Sequence, residues 1–340
     1  MPLAVIHKLA KEKRQSMTFF SAGFSIFLVS LLASAPAFGQ SDATYPQKSI
    51  RMVVPFPAGG PTDLLARVVG QKLADRLGQA VVIDNKAGGS TVIGAEIVAG
   101  APPDGYTLLM AIDNTLVMNQ SLYSKLSYDP IKDFEPITKV ATSPLIEVTS
   151  TNGPQSLKAA LAQAKAQPGS ISYGYGTFKS QLGAELIKNS LSISAMGVAY
   201  EGSAGTVQGL LSNDVSFIID GVTTALPHIQ SGKFRALANL GDNQIAALPG
   251  LPSVAVEAGI PGFDVTVWIG LVVPRGTPVA IVQKLSNEVA LVLAMPDVKE
   301  KLAGAGLIAD PQPPAAFRSF IQAESVKWTK IIQQADIKIQ

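Results

Sequence analysis

The stretch Ala58-Gly59-Gly60-Pro61-Thr62-Asp63 packs two glycines, a proline and two small polar side chains into six positions. That combination suits the holding of an anion better than a covalent reaction. Glycines let the main chain approach a ligand closely, and the first turn of a following helix exposes amides that have no intrahelical acceptor. Comparable clusters recur at Gly88-Gly89-Ser90-Thr91, Asp113-Asn114-Thr115, Thr177-Phe178-Lys179-Ser180, Gly202-Ser203-Ala204-Gly205 and Asp220-Gly221. A single Pro-Gly cluster is most often an ordinary turn. Repetition is what makes a shared site the better reading.

Other chemistries lack their residues. The chain has no cysteine, so it offers no thiol nucleophile, disulfide framework or thiolate metal site. His7 and His228 are its two histidines, too few for a multi-histidine metal centre or a conventional nucleophile-base arrangement. No Gly-x-Ser-x-Gly elbow occurs, neither glycine loop completes Gly-x-Gly-x-x-Gly, and no Walker Gly-Lys-Ser/Thr stands at the required spacing. The reading is a binding protein, with no enzymatic activity, metal or cofactor.

The elements that must position these loops follow from hydrophobic period. Ile50-Arg51-Met52-Val53-Val54 reads as a strand, and Leu64, Leu65, Val68 and Val69 fall on one face of a helix that ends near Gly78. Val81-Val82-Ile83, the second glycine loop and a helix over 92–99 repeat the order strand, glycine loop, helix. Such βαβ repetition predicts a mostly parallel sheet, with its loops gathered at the strands' carboxyl ends where open α/β sheets bind ligands. The third polar cluster, at Asp113, reads as another loop there. A second α/β pattern begins at Ser156 and includes a helix over 181–188. Extended segments at 137–150 and 263–273 are each able to cross between two domains, which would make the first domain discontinuous: 40–141 plus 266–340, with 142–265 inserted.

The 340 residues are 47% hydrophobic and 15% charged, enough for about two domains with substantial cores. Part of that hydrophobicity is a leader. Lys8, Lys11, Lys13 and Arg14 precede the apolar run Phe24-Ser25-Ile26-Phe27-Leu28-Val29-Ser30-Leu31-Leu32-Ala33 and the small residues Ala35-Pro36-Ala37-Phe38-Gly39. This is the order of a secretory signal peptide over 1–39, cut before Gln40, with Met17 an alternative start. A membrane anchor is the competing reading, but the run is short for the roughly 20 apolar residues of a span. Loss of the four basic residues and Glu12 takes the formal charge from +2 to −1, so basicity gives no support to nucleic-acid binding.

Taken together, Val54-Pro55-Phe56-Pro57-Ala58-Gly59-Gly60-Pro61-Thr62-Asp63, Asn85-Lys86-Ala87-Gly88-Gly89-Ser90, Pro103-Asp104-Gly105-Tyr106-Thr107-Leu108-Leu109, Tyr128-Asp129-Pro130-Ile131-Lys132-Asp133-Phe134 and Trp268-Ile269-Gly270-Leu271-Val272-Val273-Pro274 closely resemble, in collinear order, the Bug family. These TctC-like proteins are the periplasmic solute receptors of tripartite tricarboxylate transporters. The resemblance implies a two-domain Venus-flytrap periplasmic binding protein, α/β, with the ligand in the interdomain cleft. It implies a monomer that captures a small carboxylate (a di- or tricarboxylate, amino acid or aromatic carboxylate) and presents it to membrane permease subunits or, alternatively, to a sensor kinase ectodomain.

The resemblance also carries site residues. Phe56, Ala58, Gly59, Gly60, Thr62, Ser90 and Thr91 correspond to positions holding a carboxylate, with Asp63 setting the first loop. Thr177, Lys179, Ser180 and Asp220 face them from the second domain, and Asn114 and Trp268 stand beside the cleft. Three departures mark the second domain: Gln181 where the family often has His, Glu201 after Tyr200 where Lys or Arg is common, and Lys179 in a loop that tends to carry small residues. Lys179 is then either a solvated charge or an ammonium for a distal carboxylate. Asp220 either caps a turn or receives a ligand amine or hydroxyl, and Trp268 either packs between domains or forms a platform.

Overall fold

In the computed structural model, which describes residues 45–335, β1 (Ile50–Val54), β2 (Val81–Asn85) and β3 (Thr107–Ile112) form a parallel core in the order β2-β1-β3. The leader expected at 1–39 lies outside the described residues. α1 (Pro61–Leu77) and α2 (Val92–Ala99) are the crossovers. α1 begins with Pro61, whose fixed φ suits a first helical turn, and buries Leu65, Val68, Val69 and Leu73 along one stripe. It stops at Gly78, which takes a left-handed φ of 68° and returns its amide to the Ala74 carbonyl.

The architecture turns on β4 (Phe134–Ser150) and β9 (Thr266–Pro274). β9 runs antiparallel between β3 and β4, and β10 (Ile308–Gln312) borders β4 on its other side, giving the order β2-β1-β3-β9-β4-β10. The β4–β9 register continues to Pro144 opposite Thr266; from Leu145 onward β4 pairs instead with β7 (Phe217–Gly221) and, from Ile146, with β8 (Phe234–Asn239). Proline has no amide hydrogen to give a ladder, so Pro144 is a natural place for one set of partners to end. Beyond it the second sheet runs β8-β4-β7-β5-β6, with β5 (Ser172–Tyr175) and β6 (Met196–Ala199) parallel to β7. Both sheets are therefore mixed: a parallel trio in each, joined through antiparallel crossing strands.

The remaining helices cover these sheets: α3 (Asn119–Leu122), α4 (Leu157–Ala166), α5 (Phe178–Leu191), α6 (Gly202–Leu211), α7 (Val222–Gln230), α8 (Val254–Glu257), α9 (Val279–Ala294), α10 (Pro296–Gly304) and α11 (Pro314–Ala335). α11 locks onto the crossing strands, where Phe317 and Phe320 meet the Trp268 ring edge-on at 5.5 and 5.3 Å.

Two local differences from the sequence reading matter for the site. The helix expected over 181–188 starts at Phe178, because the Thr177 hydroxyl oxygen accepts the Ser180 amide at 3.2 Å and caps it. Lys179 thus belongs to a helical first turn, not to a loop. The loop expected at Asp113-Asn114-Thr115 is instead a buried π-helical turn over Asn114–Met118, where the Asp113 carboxylate accepts the Asn114 amide at 2.8 Å.

Candidate functional site

Four helix N-termini open onto one cavity. Their N-cap residues, Gly60 of α1, Thr177 of α5, Glu201 of α6 and Gly221 of α7, all line it. Thr177 alone among them caps its helix with its own side chain. At α1 the first position is Pro61, which has no amide hydrogen, so the Thr62 and Asp63 amides are the orphan donors of that turn. Each helix start carries roughly half a positive charge, and among the described residues no Lys, Arg or His lines the cavity. An anion here meets main-chain dipoles instead of a cationic side chain.

The α1 wall is held by Asp63. This buried carboxylate accepts the Gly59 amide and Arg67 Nε, both at 3.0 Å, and Asn85 Nδ2 at 3.0 Å; Asn85 also donates to the Phe56 carbonyl at 3.0 Å. The loop so tied requires a left-handed φ of 95° at Gly59. Burial pushes the Asp63 carboxyl up, but Arg67, the Gly59 amide and Asn85 together outweigh it and hold the group below the usual aspartate range. Phe56, Ala58, Gly60 and Thr62 line the cavity, whereas Gly59 and Asp63 stand behind them as its support. A Cβ added at Gly60 would meet nothing within 4 Å. The space in front of that backbone is the cavity itself.

The opposite wall brings together Thr177, Ser180, Glu201, Ser203, Asp220 and Gly221. Thr177 Oγ1 and Ser180 Oγ are 2.9 Å apart. Asp220 accepts from Ser203 Oγ at 2.5 Å, from the Gly221 amide at 2.6 Å and from Thr206 Oγ1. Burial pushes its carboxyl up, against the pull of those donors. The walls approach closely: a Cβ on Gly202 would lie 3.8 Å from Pro57, and one on Gly221 would lie 3.2 Å from Pro61. Between them Ile112, Leu145, Val267 and Ile269 make an apolar floor, with Ser143 beside them.

The remaining expected site residues lie elsewhere. Ser90 and Thr91, at left-handed φ values of 48° and 82°, are braced from below: Thr115 Oγ1 donates to Thr91 Oγ1 at 2.8 Å, and Asn119 Nδ2 donates to the Ser90 carbonyl at 3.2 Å. Asn114 is buried in the same network, its Nδ2 donating to Asn119 Oδ1 at 3.2 Å and its Oδ1 without a partner among the described residues. None of the three lines the cavity.

Lys179 is corrected most sharply. Its ammonium sits behind the crossing strands, 2% exposed, 2.6 Å from Asp113 Oδ2 and 4.6 Å from the Trp328 ring centre, so it faces away from the cleft. Burial pushes the Asp113 carboxyl up, and the Lys179 ammonium opposes that shift. Trp268 faces the same way, donating Nε1–H to Glu324 at 3.2 Å; it packs and does not form a platform in the cavity.

Sequence reading missed the floor. Ser143 with Leu145 and Val267 with Ile269 are pairs two apart on strands, the period that puts them on one face. The signal was present, but which face met the cleft depended on where β4 changes sheets. Among the described residues no group of three or more His, Asp or Glu side chains is placed to hold a metal ion.

Comparison with known proteins identifies the family. Residues 65–337 match the family model of the tripartite tricarboxylate transporter family receptor. The BugT protein of Bordetella pertussis is 34% identical over 329 residues, which cover 96% of this chain and all of BugT. The structure of R. palustris Rpa4515 with adipate is similar at a TM-score of 0.83 and 32% identity, covering 86% of this chain and 99% of that one. The periplasmic binding protein BugD is similar at 0.81 and 31%, covering 87% and 100%. The fold is therefore that of the two-domain periplasmic binding proteins, and the chain belongs to the tripartite tricarboxylate transporter receptors of the TctC (Bug) family.

Proposed function

We propose that this chain is a periplasmic receptor that captures a small carboxylate in the cavity between its two sheets and delivers it to the permease subunits of a tripartite tricarboxylate transporter. The observation that carries the reading is the convergence of four helix N-termini on a cavity that no basic residue lines among the described residues. Preorganised amides suit a planar carboxylate, and the α1 loop would take it through the Thr62 and Asp63 amides with the Thr62 hydroxyl beside them. The adipate bound by Rpa4515 supports the ligand class.

Capture and release would follow from two lobes moving about the crossing strands, one of residues 45–144 with 266–335 and the other of 145–265. Ligand contacts with both walls favour the closed arrangement, which the permease then recognises. The chain acts as a monomer exported by its leader, and it binds without turnover.

Thermal-shift screening of carboxylates tests this. A ligand at a hundredfold excess over its Kd stabilises the folded state by about 2.7 kcal/mol. At least one small carboxylate is expected to do so and to be recovered chemically unchanged. Conversion of that compound by the purified protein would overturn the receptor reading.

A further inference from the structure

Among the described residues the ionisable ones lining the cavity are Glu201 and Asp220, both acidic and both on the wall opposite α1. They are not equivalent. Asp220 is 3% exposed and its oxygens are occupied by Ser203, Thr206 and the Gly221 amide. Glu201 is exposed at the cavity, makes no side-chain cap to its own helix, and has no ion-pair partner among the described residues. Lys179, in the first turn of α5 on the same wall, is held behind the strands by Asp113.

The two walls are thus electrically unlike. The α1 wall presents uncompensated amides, its one acid being turned inward onto Arg67 and Asn85. The facing wall presents helix starts whose field is offset by two carboxylates. A solute that docks one carboxylate on α1 projects its other end across the apolar floor of Ile112, Leu145, Val267 and Ile269 toward Glu201.

We infer that Glu201 selects the charge of that far end, so that the receptor prefers a monocarboxylate bearing a distal ammonium group over a dicarboxylate of the same length. Two unit charges near a protein surface interact strongly enough at about 4 Å to change affinity tenfold or more, and the sign here disfavours a second carboxylate. Glu201 would be a specificity residue, with affinity for the shared carboxylate left to the α1 loop. The inference rests on the receptor reading above and refines its ligand class.

Calorimetry with matched probes tests it: 4-aminobutanoate against succinate and 6-aminohexanoate against adipate, on the wild-type chain, Glu201→Gln and Glu201→Lys. The wild type is expected to bind at least one amino acid about tenfold more tightly than its dicarboxylate partner, with the preference shrinking as salt is raised. Glu201→Gln should narrow the ratio, and Glu201→Lys should invert it. Because the Glu201 side chain caps nothing, both variants should unfold at the wild-type temperature, which confirms that the comparison is between folded proteins. Dicarboxylates binding at least as tightly as both amino acids, or a ratio unmoved in the two variants, would overturn the inference and leave the receptor standing. No binding of any probe, together with no stabilisation by any carboxylate in the thermal-shift screen, would overturn the receptor reading and this inference with it.

Discussion

The crossing strands separate two cavities of opposite character. In front, Ile112, Ser143, Leu145, Val267 and Ile269 face the cleft, which no basic residue lines among the described residues. Behind, the alternate positions Thr142 and Trp268 face a polar cavity lined by Lys139, Lys179, Lys327, Asp264, Asp310 and Glu324. Strand period alone puts neighbours such as Val267 and Trp268 on opposite sides. The three lysines behind each have a carboxylate partner: Lys179 with Asp113 at 2.6 Å, Lys139 with Asp310 at 2.5 Å, and Lys327 with Glu324 at 3.6 Å. Behind the strands, paired charges join α5 to the turn after β3 and β4 to β10, which leaves the α1 wall of the cleft to the backbone. A lysine in front would attract anions from many directions as a mobile point charge, whereas fixed amides demand a particular geometry.

The largest effect expected from breaking this contrast is at the rear. Lys179→Met strands Asp113, which is fully buried, without its cation, and breaking a buried pair in this way costs about 3–5 kcal/mol. Replacing both partners, as in Asp113→Asn with Lys179→Met, should recover most of that loss, since Asn keeps an acceptor for the Asn114 amide. Denaturant unfolding of the two single variants and the double variant reads the coupling. A single Lys179→Met that loses less than about 1 kcal/mol would show that the pair is solvated, contrary to the contrast drawn here.

The front is expected to respond in affinity and not in stability. Gly60→Val adds carbon atoms where nothing lies within 4 Å, at an extended backbone (φ −83°, ψ 173°) that any residue adopts. Unfolding temperature should hardly change. The carboxylate should lose its approach to the α1 amides, and two charge-assisted hydrogen bonds lost together correspond to roughly a hundredfold in Kd. Unchanged affinity by calorimetry would place the anion elsewhere in the cavity.

Those two substitutions also mark how far the sequence could be read. Gly60 was legible because its significance is local: two glycines, a proline and a small polar pair signal a helix start with exposed amides in any context. The second sheet was legible as a pattern for the same reason, through repeated strand, small-residue loop and helix. Lys179 was not legible. Its direction depended on the Thr177 cap, four residues before Gln181, which decides where α5 begins, and on Asp113, 66 positions away, lying in a buried turn and not in a loop. The floor residues were equally dependent on a long-range fact, the change of partners at Pro144, which no local propensity fixes.

The smallest effect expected is at Asp63, and its pH dependence sharpens the front half of the comparison. Because the net influence of Arg67, the Gly59 amide and Asn85 holds this carboxyl below its ordinary value of 3.8, ionised Asp63 stabilises the fold at pH above that value. The contribution is lost as pH falls through the lower folded-state value. Wild type should therefore lose more stability than Asp63→Asn on acidification from about pH 5 to pH 2, by about 1 kcal/mol at most, since Arg67 is half exposed and its pairing is screened. At neutral pH Asp63→Asn should be the less stable of the two, because three donors converge on this side chain and an amide offers them a single acceptor oxygen. The Gly59 amide is one of those donors, so carboxylate affinity should fall with the same variant, by less than for Gly60→Val. Parallel acid-unfolding curves for the two proteins would mean that Asp63 leaves the loop unconstrained, and the α1 wall would then owe its shape to Gly59 and Pro61 alone.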